Sequence, residues 1–435
     1  MNDLREHYDV VIAGGGMVGI SFALALDRLS GGELAILIAE SFAVPPGAQT
    51  QPIYRPSFDA RATALSYGSR CILDNLGVWP TLAQHVAPIT TIHVSERARF
   101  GSVQLTAQER GWPALGYVVE NMWLGAVLSN ELRRHPAITL LSPATVVDCK
   151  PGAERACVTI EQSGEKREFS AALLAIADGT TSALRTKLNV GVDEHDYHRQ
   201  AIIANLCCSR PHDGFAYERF TDWGPMALLP LVNARAANDN STTRDTRMAL
   251  VWTMNHERAQ NLLDADDAAF LRTLQQRFGH RQGLFTRIGE RHSYDLKLVS
   301  AEEQIRRQIV LIGNAAHSLH PVAGQGFNLA LRDVQRLAEI ICAAAHGTNG
   351  SPYCIGEARS RIGELAVLQR YIQDQSVDQW KTMQFSDRVT ALFERPGLIA
   401  GARHLGLLAL DLNTDLKNRF VDHTAGFHAG AALGR

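Results

Sequence analysis

The sequence predicts an α/β fold in which a parallel sheet flanked by helices is interleaved with a second β-sheet domain and followed by C-terminal helices. Three observations support this prediction. An apolar strand, a glycine-rich turn and an apolar helix follow one another near the start of the chain. Segments that alternate polar and apolar residues in the middle of the chain are typical of a second sheet. Another buried strand, glycine turn and helix then follow between residues 308 and 341.

The first motif spans residues 8–29 and has glycines at 14, 16 and 19 in the spacing G-x-G-x-x-G. In this motif Gly14 permits a tight turn, Gly16 lets the backbone approach a pyrophosphate, and Gly19 lets the helix pack closely on the strand. A second apolar strand ends at Glu40, near the point where an acidic side chain accepts hydrogen bonds from an adenosine ribose. The motif predicts a Rossmann-like unit that binds a dinucleotide, against the alternative of a βαβ unit without a ligand.

Composition argues against several classes of function. The chain has 435 residues, more than one hydrophobic core usually holds, so two or more domains are expected. A formal net charge of -2 and a pI near 6.8 give no reason to expect nucleic acid as a partner. The seven cysteines form no C-x-x-C pair and no ligand spacing with histidine, so neither a disulfide framework nor a metal site is predicted.

Hydrophobic segments give no sign of export or of a membrane span. The first ten residues lack the apolar core of a secretory signal. The most apolar late stretch, residues 398–412, is interrupted by Arg403 and His404 and is too short to span a bilayer. We therefore expect a cytoplasmic protein.

Residues 57–79 are expected to begin as a polar loop that contains Arg61. A helix should follow, with Leu65 and Cys71 among its apolar positions and its end near Gly77. An arginine in such a loop is by itself most often a surface charge.

Six aromatic and apolar residues in the predicted second sheet could face a hydrophobic ligand. Sheet core is the favoured interpretation for most of them. They are Phe215, Tyr217, Phe220, Trp223, Leu228 and Trp252.

The second motif, residues 177–185, places Asp178 and Gly179 between a buried strand and a short helix. On local grounds alone Asp178 is a helix cap. The third motif, residues 308–341, has Gly313 and Asn314 directly after a buried strand. Its later glycines precede a long apolar helix, whose N-terminus leaves backbone N–H groups free for a negatively charged ligand.

The three motifs in this order resemble the flavoprotein aromatic hydroxylases of the p-hydroxybenzoate hydroxylase fold. The third motif is similar to the family signature G-D-A-A-H-x-x-x-P-x-x-G-Q-G-x-N, with Asn314 in place of the common aspartate. The resemblance implies a bound FAD, whose ribityl or ribose hydroxyls an amide holds somewhat less tightly than a carboxylate does. It also implies that Arg61 contacts FAD. The Asp178-Gly179 pair should lie near the FAD pyrophosphate and take part in handling NAD(P)H.

The same resemblance assigns the parts of the flavin loop. Pro321, Gly324 and Gly326 are expected to position the reacting ring, and no side-chain base is assigned. The helix that follows should stabilise the reduced isoalloxazine at its N1/O2 edge. His317 and His320 are expected to pack around the loop rather than to act as acid or base. The full predicted FAD site comprises Gly14, Gly16, Met17, Val18, Gly19, Glu40, Arg61, Asp178, Gly179, Gly313, Asn314, Pro321, Gly324, Gln325, Gly326, Phe327 and Asn328.

Four stretches narrow the resemblance to the ubiquinone-biosynthesis hydroxylases, most closely to the branch of 2-octaprenyl-6-methoxyphenol hydroxylase. They are residues 58–69, 89–105, 218–231 and 313–334. The resemblance implies a monooxygenase that transfers oxygen from O2 to the ring of a polyprenylated phenol through a flavin C4a-hydroperoxide. Because the sequence holds only one glycine fingerprint, NAD(P)H should visit transiently as the electron donor.

The expected FAD-binding domain is discontinuous, with residues 1–89, 113–188 and 298–345. The expected substrate domain comprises residues 90–112 and 189–297, and a C-terminal helical region covers 346–435. Two amphipathic helices are predicted between residues 377 and 412, with a break at Pro396-Gly397. Packing against the FAD domain is the favoured role. Docking on the inner face of the membrane or on a ubiquinone-biosynthesis complex is the alternative, because a polyprenyl phenol is almost insoluble.

Other functions stay open at this point. The enzyme could hydroxylate a different ring position or a small soluble phenol. A halogenase is disfavoured because the sequence has no W-x-W-x-I-P, and a disulfide-type flavoenzyme is disfavoured because it has no paired redox cysteines. A reductase of isoprenoid double bonds is a further alternative. The last alternative is a non-catalytic FAD-binding scaffold.

Overall fold

The structure is a computed structural model, and it describes residues 4–44, 54, 61–97, 102–233, 246–319, 324–346, 359–394 and 421. The strands are β1 His7–Ala13, β2 Ile36–Ala39, β3 Ala62–Ser66, β4 Val86–Ile89, β5 Thr91–Glu96, β6 Ser102–Thr106, β7 Gly116–Glu120, β8 Ile138–Leu141, β9 Thr145–Lys150, β10 Ala156–Gln162, β11 Glu165–Ile176, β12 Val192–Cys208, β13 Phe215–Phe220, β14 Pro225–Leu231, β15 Arg247–Asn255, β16 Phe285–Ile288, β17 His292–Ala301, β18 Ile305–Arg306, β19 Ile309–Leu311 and β20 His317–Ser318. The helices are α1 Met17–Leu29, α2 Tyr67–Asn75, α3 Trp79–Leu82, α4 Asn121–Leu132, α5 Ala183–Lys187, α6 His256–Leu263, α7 Asp267–Phe278, α8 Gln325–His346 and α9 Leu365–Glu394.

The first sheet is the parallel layer that the opening motif predicts. Its order is β18-β19-β11-β1-β2-β8, and β1, β2, β8, β11 and β19 run parallel. Helices α1, α4 and α8 pack on one face, while β9 and β10 pack on the other. Strands covered on both faces are continuously apolar, which explains the short runs of valine, isoleucine and leucine. The carboxyl ends of β1, β11 and β19 meet at one edge, where such sheets bind ligands.

The second sheet has nine strands in the order β20-β17-β12-β15-β14-β13-β5-β6, with β16 beside β12. Helices α6 and α7 cover its back face, where Trp252 and Phe270 lie in one apolar cluster. Its front face, which we define by Ala216, Leu229 and Ala249, turns toward a third sheet of order β3-β7-β4. The segments of the two large sheets alternate along the chain, so the predicted interleaved fold class is confirmed. The domain limits stay a prediction.

The third sheet is tied to the second by a buried ion pair. Arg247, at the start of β15, lies 3.0 Å from Glu120 at the end of β7, and their side chains are 3% and 2% exposed. Tyr54 donates a further hydrogen bond to Glu120 at 3.0 Å. Burial and the nearby Glu120 carboxylate raise the pKa of the Tyr54 hydroxyl. Because each buried charge depends on its partner, the pair should fix how the two sheets sit together.

Helix α9 packs along α8, as the favoured interpretation of the C-terminal region predicts. Asp378 lies 2.7 Å from Arg332, and Asp374 accepts hydrogen bonds from Arg336. The predicted break at Pro396-Gly397 and the second amphipathic helix lie outside the described residues. Within the part of the chain that is described, no helix combines the length and the apolar character needed to cross a membrane.

The position of Leu65 shows that one local prediction was wrong. It lies on β3, whereas the sequence predicted a helical position for it. The segment pairs with β7, and the Ser66 side chain accepts a hydrogen bond from the backbone N–H of Ser69 at 3.2 Å. The helix therefore starts after this cap.

The aromatic residues of the second sheet behave as core. Tyr217, Leu228 and Trp252 are buried in the back cluster, and Phe215 and Trp223 pack against it. Phe220 is buried as well. The favoured core interpretation is therefore confirmed.

Candidate functional site

Two glycines of the opening motif have no room for a side chain. A Cβ at Gly14, whose φ is +106°, would lie 2.5 Å from the carbonyl oxygen of Ala177 at the end of β11. A Cβ at Gly19 would lie 2.0 Å from the carbonyl oxygen of Gly14. Glycine is required at both positions because larger residues would collide with backbone atoms. The turn therefore sits directly against the second motif.

Gly16 is different, because a Cβ there would meet no atom within 4 Å. Gly16 is the N-cap of α1, and its residue type leaves that helix without a side-chain cap. The first backbone N–H groups of a helix, here beside Met17 and Val18, lack partners within the helix and carry partial positive charge. An open position in front of such a terminus fits a pyrophosphate.

Glu40 lies beside the glycine turn, as the second strand predicts. Its carboxylate accepts hydrogen bonds from the backbone N–H groups of Gly15 at 2.6 Å and Phe42 at 2.8 Å. The side chain remains partly exposed. Carboxylate oxygens have further lone pairs, so Glu40 can hold the turn and still accept a ribose hydroxyl.

The second motif meets the first at Ala177, and its roles differ in part from the local expectation. Ser182, not Asp178, is the N-cap of α5, because its hydroxyl accepts from the Arg185 backbone N–H at 3.1 Å. Asp178 is exposed and accepts only a long hydrogen bond, 3.5 Å, from the Leu184 backbone N–H in the first turn of α5. Gly179 has a φ of +92° and open space where a side chain would stand. Asp178 is therefore available to a ligand.

Arg185 joins the second and third motifs. Its guanidinium donates to the carbonyl oxygen of Thr180 at 2.7 Å and to that of Ala315 at 2.8 Å. The residue is only 7% exposed. The sequence showed Arg185 in its motif but gave no sign of the partner at Ala315, which is far along the chain.

The third motif begins against helix α1. A Cβ at Gly313, whose φ is +58°, would lie 3.0 Å from the Val18 side chain. Asn314, the departure from the family signature, is exposed next to this contact. The loop then enters β20, which pairs with β17 of the second sheet. All three motifs thus meet at one edge of the first sheet.

The start of α8 is anchored to β3. The Asn328 side chain accepts from the Ser66 backbone N–H at 2.9 Å and donates to the carbonyl oxygens of Ala64 at 2.9 Å and Gly324 at 2.7 Å. These bonds use both N–H donors of the amide, so the side chain has no N–H left to donate to a cofactor. Gln325, Gly326 and Phe327 form the same first turn. Pro321 and His320 lie outside the described residues.

Arg61 links the start of the third sheet to the second sheet. It is exposed and donates a hydrogen bond to the Tyr294 hydroxyl at 2.7 Å. Tyr294 stands on β17 opposite Ala201, on the front-face side of the second sheet. Arg61 directly precedes β3, so the structure places it near the start of α8 rather than at the glycine turn.

His317 forms a buried pair with Asp333 of α8. The two side chains are 2.6 Å apart and each is 1% exposed. The expectation that His317 packs and forms hydrogen bonds around the loop is confirmed. Asp333 itself was missed, although an aspartate among the apolar positions of α8 is a sequence signal for a buried partner. Among the described residues no group of histidine, cysteine, aspartate or glutamate could hold a metal ion.

The geometry defines a flavoenzyme of the two-sheet hydroxylase type, with a backbone-lined dinucleotide crevice beside a second sheet. The chain matches the FAD binding domain family over residues 7–353 and belongs to this family.

The chain is also similar to named hydroxylases and to a solved monooxygenase structure. The chain is 31% identical to ubiquinone hydroxylase UbiL of Rhodospirillum rubrum over 96% of this chain and 89% of the relative. It is 29% identical to 3-demethoxyubiquinol 3-hydroxylase of Escherichia coli over 96% of this chain and 98% of the relative. The crystal structure of p-nitrophenol 4-monooxygenase PnpA from Pseudomonas putida superposes with a TM-score of 0.71 at 16% identity, covering 98% of this chain and 100% of that one.

These findings confirm the resemblance to the ubiquinone-biosynthesis FAD hydroxylase family that the sequence motifs indicated. The chain is an FAD-dependent aromatic-ring monooxygenase, and FAD is its cofactor.

Proposed function

We propose that this monooxygenase hydroxylates the ring of a polyprenylated phenol in ubiquinone biosynthesis, with a substrate of the 2-octaprenyl-6-methoxyphenol type. The observation that carries the proposal is the open N-terminus of α1 at Gly16, beside the Asp178-Gly179 pair and the Gly313 loop. Relatives named for ubiquinone hydroxylation support the substrate class.

In this proposal the backbone holds most of the FAD. The first turn of α1 binds the pyrophosphate through Gly16, Met17 and Val18, while Gly14 and Gly19 shape the turn. Glu40 accepts the adenosine ribose. The remaining contacts come from Arg61, Asp178, Gly179, Gly313, Asn314 and residues 321 and 324–328.

Bound FAD would take electrons from NAD(P)H and, with O2, supply the oxygen atom that ends on the ring. The chain's own residues place that ring, exclude water and stabilise charge. The first turn of α8, at Gln325 and Gly326, presents backbone N–H groups to the reduced flavin edge. The front face of the second sheet holds the phenol against Gly324 and the first turn of α8. Asp178, which is exposed beside the turn, meets NAD(P)H during its transient visit.

The substrate must be collected from a lipid phase, so we place the enzyme in the cytoplasm at the inner face of the membrane. Val377 and Trp380 are 55% and 53% exposed, and their spacing puts them on one side of α9. This side offers a contact for the membrane or for a ubiquinone-biosynthesis complex.

We further propose that the domains are discontinuous. The FAD-binding domain comprises residues 1–89, 113–188 and 298–345, the substrate domain comprises residues 90–112 and 189–297, and a helical region covers residues 346–435.

Mass spectrometry of quinone-pathway lipids tests the proposal in cells that lack the protein. A prenylated methoxyphenol should accumulate and should disappear on complementation, while the purified chain shows a flavin spectrum. A different accumulated intermediate would reassign the ring position. Unchanged lipids with flavin present would reject the pathway and direct the search to small phenols.

Complementation with a FAD-binding but inactive variant separates catalysis from scaffolding. Restored lipids in that strain would support the non-catalytic alternative.

A further inference from the structure

Glu218 is a carboxylate among small and apolar side chains on the front face of the second sheet. Residues alternate along β13, so Tyr217 enters the back cluster while Ala216 lies in the front cluster and Glu218 shares its side. Glu218 stands opposite Val94 of β5 and Ala227 of β14. A glutamate at the centre of a buried strand requires an explanation, since charged groups are rarely placed there without a partner.

The Glu218 side chain is half-buried, and we call the space around it the recess. It keeps some accessible surface, yet enough protein surrounds it that burial raises the pKa of its carboxyl from 4.5 to about 8. Within the described part of the chain it has no hydrogen-bond partner. Its carboxylate is therefore free to meet a ligand.

Strand β3 connects this recess to the predicted flavin loop. Ala62 packs in the same apolar cluster as Ala216 of the front face. Two residues along β3, the Ala64 carbonyl accepts the hydrogen bond from Asn328, and Ala64 lies next to Gly324. Gly324 therefore lies beside the middle of β3, and the front face lies beside the start of β3.

We infer that Glu218 receives the ring hydroxyl of the phenol and acts as its base. This role rests on the proposed function and deepens it, because it assigns the side-chain base that the sequence left unassigned. In the step, the phenol O–H bond breaks, its proton moves to the Glu218 carboxylate, and the electron pair stays on the phenol oxygen. The proton later leaves to water.

The chemistry of the two groups suits this transfer. A phenol has an unperturbed pKa of about 10, as in tyrosine. Burial brings the pKa of Glu218 to about 8, much nearer to the phenol than the ordinary 4.5. Proton transfer is easier when the pKa values of donor and acceptor are closer. The phenolate has a more electron-rich ring, which reacts more readily with an electrophilic oxygen.

A carboxylate in this recess also selects among phenols. A neutral prenylated ring can donate its hydroxyl proton, whereas a ring that carries its own carboxylate would place two like charges together. Glu218 should therefore exclude benzoate-type phenols. This selection separates the proposed substrate class from small acidic phenols.

The pH dependence should reflect Glu218, since only its ionised form accepts the proton. The reaction rate should rise with pH and level off above about 8. Burial is the cause of the shift, and the charges nearby do not contribute to it. The titratable and charged residues on this side of the sheet or against it are Glu96, Glu120, Arg199, Arg247, His292, Tyr294 and Arg61.

The test compares purified wild type with Glu218→Gln, and uses Glu161→Gln as a control on the exposed strand β10. Each holoenzyme receives NAD(P)H, O2 and a short-chain prenylated methoxyphenol in detergent micelles. For Glu218→Gln we expect a kcat lower by about a hundredfold, with a much smaller change in KM. The rise of the rate with pH up to about 8, which we call the pH limb, should be lost. FAD content and Tm should equal those of the control.

Equal rates and pH profiles in wild type and Glu218→Gln would show that Glu218 is not the base. If Glu218→Gln lost its flavin, Glu218→Asp would decide, because it keeps the carboxylate. A retained pH limb in that variant supports the role, and an absent one overturns it. A wild type that oxidises NAD(P)H without hydroxylating the ring would overturn the proposed function itself.

Discussion

The cofactor edge of the first sheet and the front face of the second sheet are built by different means. At the cofactor edge, glycines, strand ends and helix N-termini present backbone atoms, and Gly14 and Gly19 pack against carbonyl oxygens. At the front face, side chains from distant strands meet through sheet register, as Val94, Glu218 and Ala227 do. A side-chain substitution should therefore disturb the first region less than the second, unless it replaces one of the glycines.

We expect the largest effect on FAD binding from Gly16→Val, which tests whether the cofactor edge binds FAD through backbone atoms. The new side chain meets no protein atom but fills the space in front of α1, so FAD binding should be abolished. Stability of the apoprotein should change by no more than about 1 kcal/mol. Flavin absorbance and thermal unfolding of the purified variant check both points.

Gly19→Val is the matched control, because its Cβ collides with the Gly14 carbonyl. It should lower stability by about 3 kcal/mol or more as well as FAD content. A Gly16→Val protein that keeps full yellow cofactor would reject the pyrophosphate site.

Arg247→Met tests the link between the third sheet and the front face. Removing this buried partner leaves the Glu120 charge uncompensated and should cost about 3–5 kcal/mol in the free energy of unfolding. Denaturant unfolding measures the loss. Lys297→Met is the control, since Lys297 and Glu194 are 41% and 44% exposed and their pair should contribute little to stability. Equal losses in both variants would contradict the role of the buried pair.

Tyr294→Phe removes the acceptor of the Arg61 hydrogen bond, which joins the start of the third sheet to the second sheet. We expect a loss of about 1 kcal/mol in stability, because the bond is direct but Arg61 is exposed. A double-mutant cycle with Arg61→Ala isolates the pair from other effects of each residue. Additive losses would show that the two side chains do not interact in solution.

Asn314→Asp should produce the smallest effect and the only gain. A carboxylate at this exposed position would accept a charge-assisted hydrogen bond from a flavin hydroxyl, so FAD should bind about fivefold more tightly. Titration of the apoprotein with FAD measures the change, with Asn314→Ala as the control for loss of the contact. Weaker binding in Asn314→Asp would place the FAD hydroxyls elsewhere.

The same difference explains what the sequence could predict. The glycine turns, the strands before them and Glu40 follow from local spacing, so these elements could be predicted from the sequence, while their contacts with FAD stay predictions. The contacts of Arg185 with Ala315 and of Asn328 with Ser66 join distant segments, and no local pattern contains them. Leu65 was misplaced on a helix because its pairing with β7 depends on a strand far along the chain.

The front face was the least predictable region. The sequence offered the aromatic residues of the second sheet as candidate ligand contacts. In the structure, Tyr217 and Trp252 face the back cluster. Their neighbour Glu218 has the other orientation because successive strand residues alternate. A glutamate between Tyr217 and Arg219 on a predicted strand was the available signal, but its neighbours Val94 and Ala227 follow only from the pairing of β13 with β5 and β14.

Heavy-oxygen labelling of the product tests the central claim most directly. Purified holoenzyme would receive labelled O2, NAD(P)H and a short-chain prenylated methoxyphenol in lipid vesicles, and the product would be analysed by mass spectrometry. The account predicts one labelled oxygen atom on the ring for each NAD(P)H consumed in a coupled reaction. NAD(P)H oxidation that yields only labelled hydrogen peroxide, with an unchanged ring, would contradict it.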